Sequence, residues 1–275
     1  MDVSIVSYRT VWPGSRPPAW HRNCWPLSSE GTGNGVLIVP EPFHKAMVIV
    51  AHPDDPEFFC GGTVATWVRE GVEVTYLILT RGDKGTDDPE MTPERLTAIR
   101  EAEQRAAARL LGVHEVVFLD YRDGELEPSL ALRGEIVRQV RRYRPEVVIT
   151  SDPTTWFSRG IYVNHPDHRA AGEAVLGALF PAAGLASFYP EQIAEGLAPH
   201  KVNEVYLAVT NEPDIWIDTT SVIDLKIAAL FCHASQIKDP PALEKRIRDG
   251  VDPRQTGPGT GPRYAESFRR LIVRR

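Results

Sequence analysis

The sequence predicts an α/β domain with a mostly parallel sheet, and three observations predict it. Short apolar runs alternate with helical stretches from residue 45 onward. The runs are near-continuous rather than alternating, as in strands buried on both faces. Polar, chemistry-bearing residues follow four successive runs, at the strand ends where open parallel sheets bind ligands.

The elements follow in order. "AMVIVA" (46–51) is the first strand, and "GGTVATWVREG" (61–71) is a helix with Gly71 placed for its C-terminal turn. "VEVTYLILT" (72–80) is the second strand and "RGDKGTDDPEM" (81–91) a polar loop. In the helix that follows, Thr92 is the N-cap, Pro93 the first residue and Gly112 the stop. Leu96, Ile99, Ala102, Ala106 and Leu110 form its expected apolar stripe. "HEVVFLD" (114–120) is a strand, "SLALRGEIVRQVRRY" (129–143) a helix and "PEVVIT" (145–150) a strand. A long loop (151–167) then leads to the helix "HRAAGEAVLGALF" (168–180). "EVYLAV" (204–209) and "DIWID" (214–218) are strands. Helices are expected over "SVIDLKIAALFCHAS" (221–235) and, last, near "YAESFRRLIV" (264–273).

The 275 residues suit one large domain, 44–275, preceded by an extension, 1–43, rich in Pro, Gly, Ser and Trp. Trp12, Trp20 and Trp25 call for a surface to cover, so the extension is expected to drape over the domain or over a neighbouring copy in a homo-oligomer. The N-terminus lacks an apolar run with a small-residue cleavage site, so a secretory signal is not expected. No stretch approaches 18 consecutive apolar residues, which argues against a membrane span. A net charge of -6 argues against binding nucleic acid through its phosphates, and "RQVRRYR" (138–144) reads as the wet face of a helix. The three cysteines are widely spaced and form no CxxC, which fits a reducing cytoplasm; Cys60 and Cys232 read as small core residues.

The chemistry gathers at the strand ends. His52, Asp54 and Asp55 follow the first strand, Arg81 and Asp83 the second, and Asp120 to Asp123 the third. Asn164, His165, Asp167 and His168 close the loop after the fourth. Two histidines and a carboxylate are a standard zinc set, and a catalytic zinc keeps its fourth position for water. His52 and Asp55 lie three apart in one turn stiffened by Pro53, and His168 closes the triangle from the far loop. Adjacent Asp54 and Asp55 tolerate each other beside a divalent cation, so one can ligate while the other accepts a proton. Trp156, Phe157 and Tyr162, just before "HPDH", suit either a sugar-stacking wall or an anchor for the loop.

"AHPDDPEFFCGGT", "LTRGDKGT", "RLTAIREAEQRAAARLLGV" and "NHPDHRAAG", in that order, resemble the zinc-dependent LmbE-like (PIG-L type) N-acetylglucosaminyl deacetylases. The resemblance runs from about residue 45 to the C-terminus. It implies a Rossmann-like three-layer fold and hydrolysis of an N-acyl group from an amino sugar or sugar conjugate. It implies one zinc ion per chain at His52, Asp55 and His168, with Asp54 as general base. The position of His165 would steady the transition-state charge, and Asp83, Arg100 and Asp123 would contact substrate. "CHASQ", with His233, Ser235 and Gln236, resembles a further segment near the site. Two other readings stand beside this one. A non-haem iron oxygenase uses the same two histidines and one carboxylate, but on an all-β barrel. A non-catalytic metal- or sugar-binding domain would leave Asp54 idle.

Overall fold

The computed structural model describes residues 42–158, 160–250 and 264–273, together with the backbone of Cys24–Trp25. Residues 1–23 and 26–41 of the predicted 1–43 extension lie outside the described residues.

The apolar runs form the predicted parallel strands: β2 (Lys45–Val50), β3 (Glu73–Thr80), β4 (Glu115–Tyr121) and β5 (Val147–Ser151), joined by β8 (Glu204–Ala208). The sheet order is β1-β9-β10-β8-β5-β2-β3-β4, where β1 is Cys24–Trp25, β9 is Ile215–Asp218 and β10 is Ala265–Ile272. β10 runs antiparallel to both β8 and β9, and β1 is antiparallel to β9. β2 shows why its run is unbroken. Ala46, Val48 and Val50 enter the core under α1 (Asp55–Arg69), α2 (Pro93–Leu111) and α6 (Ile223–Phe231). Met47, Ile49 and Ala51 enter the opposite core under α3 (Leu130–Tyr143) and α4 (Pro166–Gly177). With both pleat faces buried, every position from Ala46 onward is apolar, and only Lys45 at the exposed start is not. The result is the expected three-layer α/β fold.

Four expectations are corrected. The last segment is a strand, not a helix. Phe268, Leu271 and Ile272 have helical spacing, but the gap between β8 and β9 offers a hydrogen-bond partner on each side. Glu266 and Phe268 turn inward while Ser267 is exposed, which is the period of a strand.

The helix after β2 begins at Asp55, six residues early, with Pro56 in its first turn. It kinks at Cys60 (φ −147°). The kink opens the backbone ladder, and a buried ion pair fills it. Glu266 accepts from the N–H groups of Gly62 (2.9 Å) and Thr63 (2.7 Å). Lys226 donates to the Phe58 carbonyl (3.2 Å) and to Glu266 (2.5 Å).

In α2, Thr92 and Gly112 cap as predicted, but the buried stripe is Leu96, Arg100, Gln104, Ala107, Ala108 and Leu111. Ala102 and Leu110 face solvent. Two polar residues occupy the inner face because that face looks onto the loops after β2 and β3. Arg141, expected on the wet face of α3, is instead buried. It donates to the carbonyls of Ala182 (3.2 Å), Leu185 (2.9 Å) and Phe188 (2.9 Å), drawing the turns over 182–188 onto α3.

Gly172 sets how closely α4 approaches β5. A Cβ there would lie 2.2 Å from the Ser151 carbonyl oxygen. That contact brings the N-terminus of α4 over the end of β5. Smaller elements missed by the sequence reading are the hairpin β6 (Phe157–Ser158) and β7 (Tyr162–Val163), α5 (Pro190–Ala194) and α7 (Pro240–Asp249). Among the described residues no helix is long and apolar enough to cross a membrane.

Candidate active site

β3 and β4 lie on one side of β2, while β5 and β8 lie on the other. The chain therefore reverses direction between β2 and β5, and a doubly wound sheet opens its ligand crevice at such a switch point. The HPDD turn leaves β2 and the HPDH segment follows β5, so the two histidine motifs face each other across that crevice.

The HPDD turn is closed by its own carboxylate: Asp55 Oδ2 accepts the His52 N–H at 2.9 Å. His165 is the N-cap of α4, its Nδ1 accepting the Asp167 N–H at 3.2 Å. His168 lies within the first turn of that helix. Asp55, His52 and His168 offer donor atoms all within 4.8 Å of one another.

The ring orientations test whether a cation fits. Asn164 donates through Nδ2 to the Thr155 carbonyl (2.8 Å), which turns its Oδ1 toward His168 Nδ1 (3.0 Å). His168 Nδ1 thus carries the proton, and its Nε2 lone pair faces Asp55 Oδ1 at 3.1 Å. His52 Nε2 lies 3.2 Å from both Asp123 Oδ1 and Asp167 Oδ2, so it is the donor, and His52 Nδ1 faces Asp55 Oδ2 at 3.4 Å. His52 Nδ1 and His168 Nε2 both face one carboxylate, so positive charge, a proton's or a cation's, lies between each nitrogen and Asp55. Ligands at 2.0–2.1 Å in a tetrahedron are about 3.3 Å apart. The observed separations, 3.1 Å from His168 to one Asp55 oxygen and 3.4 Å from His52 to the other, lie close to that spacing. The donor set therefore fits a divalent metal.

The surrounding carboxylates make the same demand for positive charge. Burial pushes the His52 imidazolium down, yet Asp123, Asp167 and Asp55 outweigh it and raise its pKa well above the ordinary value, a demand at Nδ1 that a second proton or a bound cation meets. Burial raises Asp55, but His168 and His52 overcome this and hold it well below the usual carboxylate range. Burial pushes Asp54 up to about 6, opposed chiefly by the Arg100 guanidinium. Burial and the neighbouring His52 lower His165. His165 is then neutral, with Nδ1 as acceptor and Nε2–H as donor.

The remaining predicted residues converge on the same crevice. Arg100 donates through Nη2 to the Pro53 carbonyl (2.6 Å) and stands 3.3 Å from Asp54 Oδ2. Its Nη1 donates to Gly82 (3.1 Å) and lies 3.8 Å from Asp123 Oδ2. Gly82, at φ +63°, leaves no room for a Cβ, which would meet Arg100 at 2.5 Å. Asp83 is enclosed and accepts the Asp123 N–H at 2.9 Å. Asp123 itself faces His52, Arg100 and His165. Asp120, by contrast, is exposed and paired with Arg81 outside the cluster.

Sequence reasoning gave no role to Asp167 or Asn164, which orient His52 and His168. Asp167 also accepts from Gly124 N (2.7 Å) and Leu126 N (3.2 Å), tying the HPDH segment to the loop after β4. His52, His165 and Asp167 form a second group of donors within 4.8 Å. The β6–β7 hairpin forms the rim, with Trp156, Phe157 and Tyr162 about 60% exposed. They are not pinned to the core. Arg169 covers one face of Trp156 at 3.8 Å.

The family model for GlcNAc-PI de-N-acetylase, PIG-L, matches residues 47–179. The chain is also 35% identical to a diacetylchitobiose deacetylase of Thermococcus kodakarensis, over 84% of this chain and 85% of the relative. The chain belongs to the PIG-L family. A PIG-L relative in Bacillus anthracis, a probable N-acetyl-α-D-glucosaminyl L-malate deacetylase, is 32% identical over 74% of this chain and 87% of its own. The solved N,N'-diacetylchitobiose deacetylase of Pyrococcus horikoshii, in complex with an inhibitor, superposes with a TM-score of 0.75. It is 32% identical and covers 84% of each chain. PIG-L membership and the doubly wound parallel sheet leave the iron-oxygenase barrel without support.

Proposed function

We propose that this protein is a zinc-dependent hydrolase that removes an N-acetyl group from an amino sugar or its conjugate. The observation that carries the reading is the pair of imidazole lone pairs facing Asp55, beside the second carboxylate of Asp54. The named activities of the PIG-L relatives support it. His52, Asp55 and His168 would hold the ion. When bound, zinc acidifies water and polarises a carbonyl.

Asp54 takes a proton from water as the water oxygen attacks the amide carbon. A carboxylate near pKa 6 is basic enough for this and is ionised at neutral pH. His165, neutral with Nε2–H free to donate, stabilises the oxygen that gains charge. Arg100 holds Asp54 and Asp123 in place. Asp54 then returns its proton to the nitrogen as the C–N bond breaks, giving acetate and a free amine. The exposed Trp156 face suits a sugar ring. A cytoplasmic setting fits the free thiols of Cys60 and Cys232.

The test is acetate release from N-acetylglucosamine, N,N'-diacetylchitobiose and an N-acetylglucosaminyl inositol, by the zinc-loaded protein. Stoichiometric acetate and free amine are expected from at least one of them. Absence of acetate from all three, or full turnover by Asp54→Asn, would overturn the reading.

A further inference from the structure

Asp54 sits in the left-handed region at φ 92°, a conformation that a residue with a side chain adopts only under constraint. Something must hold it there. The HPDD turn and the start of α1 hold one side of it: the Asp55 N–H donates to the His52 carbonyl (3.3 Å) and the Asp54 carbonyl accepts from the N–H groups of Glu57 and Phe58 (both 3.1 Å), while the Asp54 N–H points away from the turn.

That N–H donates to Gln104 Oε1 on α2 at 2.8 Å. The Gln104 amide nitrogen in turn lies 3.0 Å from each carboxylate oxygen of Glu57. His233 Nε2 contacts Glu57 Oε2 at 3.0 Å from beyond the end of α6. Gln104, Glu57 and His233 are each 0% exposed. The chain of bonds is directional. Glu57 accepts, which makes Gln104 Nε2 the donor and leaves Gln104 Oε1 no role but to accept from Asp54. His233 supplies the hydrogen that completes Glu57. The order is therefore His233 to Glu57, Gln104 to Glu57, and Asp54 N–H to Gln104. Three separate elements, α1, α2 and the end of α6, thus fix one backbone N–H.

We infer that Gln104, Glu57 and His233 are positioning residues that hold Asp54 in its strained conformation with its carboxylate presented to the crevice. None of the three lines the crevice, so none is a catalytic residue. The inference rests on Asp54 being the general base of the proposed reaction, but the positioning itself is measurable without turnover.

The experiment compares Gln104→Leu, Gln104→Glu and the exchanged pair Glu57→Gln with Gln104→Glu. Leucine removes the acceptor. Glutamate at 104 alone sets two carboxylates against each other. In the exchanged pair, the residue at 104 accepts the Asp54 N–H, and the amide at 57 donates to 104 and accepts from His233, so every bond is remade. Amide hydrogen exchange at Asp54 is read by NMR on the zinc-loaded protein, with zinc content alongside. Exchange at Asp54 is expected to accelerate at least tenfold in both single variants and to return toward wild type in the exchanged pair, with zinc content unchanged. In the acetate assay, kcat is expected to fall about 100-fold in the single variants, the scale of a displaced reacting group, with KM within twofold and recovery in the pair.

Unchanged Asp54 exchange in Gln104→Leu, or failure of the exchanged pair to recover protection, would overturn the inference. Should Gln104→Leu not fold, the exchanged pair against Gln104→Glu decides it. Normal exchange effects without acetate release by the wild type would instead sink the deacetylase reading and leave the positioning intact.

Discussion

Glu266→Ala should destabilise the protein by about 4 kcal/mol. The kink at Cys60 separates the Gly62 N–H from the Phe58 carbonyl, its ordinary helical partner, and the Lys226–Glu266 pair bridges the gap. Helices kink where side chains insert into the ladder in this way. Removing the carboxylate orphans two buried donors, Gly62 and Thr63, at roughly 1–3 kcal/mol each. It also strands Lys226, which is 9% exposed, and breaking a buried pair from one side costs about 3–5 kcal/mol by itself. These overlapping estimates give about 4 kcal/mol. Glu266→Gln keeps one acceptor oxygen and should lose about half as much. Lys226→Met orphans the Phe58 carbonyl and leaves the Glu266 charge without its cation, held only by the Gly62 and Thr63 N–H groups, and should cost about 3 kcal/mol. Urea unfolding of the metal-free protein, with amide exchange at Gly62 and Thr63, measures all three. A loss below about 1 kcal/mol for Glu266→Ala, with exchange unchanged, would refute the inserted pair.

Three further outcomes follow from the structure. His168→Ala should lose bound zinc, measured by metal analysis, whereas Asp54→Asn should keep it and lose turnover about 100-fold or more; equal metal loss in both would refute the division of roles. Burial raises Glu70 from 4.5 to about 7, so its folded form holds the proton more tightly than the unfolded chain does. Its contribution to stability is complete below pH 4.5 and is lost as pH rises through 7, so Glu70→Gln should be relatively more stable than wild type at pH 8 than at pH 5 in urea titrations. Gly172→Ala pushes a Cβ to within 2.2 Å of the Ser151 carbonyl and should lower stability by about 3 kcal/mol, read as a fall in urea midpoint.

Much of the site is legible in the sequence because turn chemistry and spacing are local. His52 and Asp55 meet within one turn, and HPDH opens a helix, so both motifs carry their geometry with them. The loops after β2, β3, β4 and β5 converge because the strands are parallel, which the apolar runs already imply. Gln104 is not legible in the same way. A polar residue four positions after Arg100 marks the inner face of α2, but the competing stripe through Ile99, Ala102 and Ala106 is equally periodic. Only the surface against which α2 packs tells them apart. Asp167 and Asn164 stand beside His168 and His165 in the sequence, yet their roles depend on ring orientation, and that follows from contacts with Thr155, Gly124 and Leu126.

The residues alone determined the alternation of strand and helix, the crevice at the sheet edge and the histidine–aspartate set within it. These rest on periodicity and turn preference, which act over a few neighbouring positions. Tertiary packing alone decided that the last segment is a strand, that α1 bends around an ion pair and that a buried glutamine grips the Asp54 backbone. Each of those depends on a partner far along the chain, such as Glu266 on Gly62 or Gln104 on Asp54. A local pattern shows that a polar group needs a partner; only the folded chain supplies one.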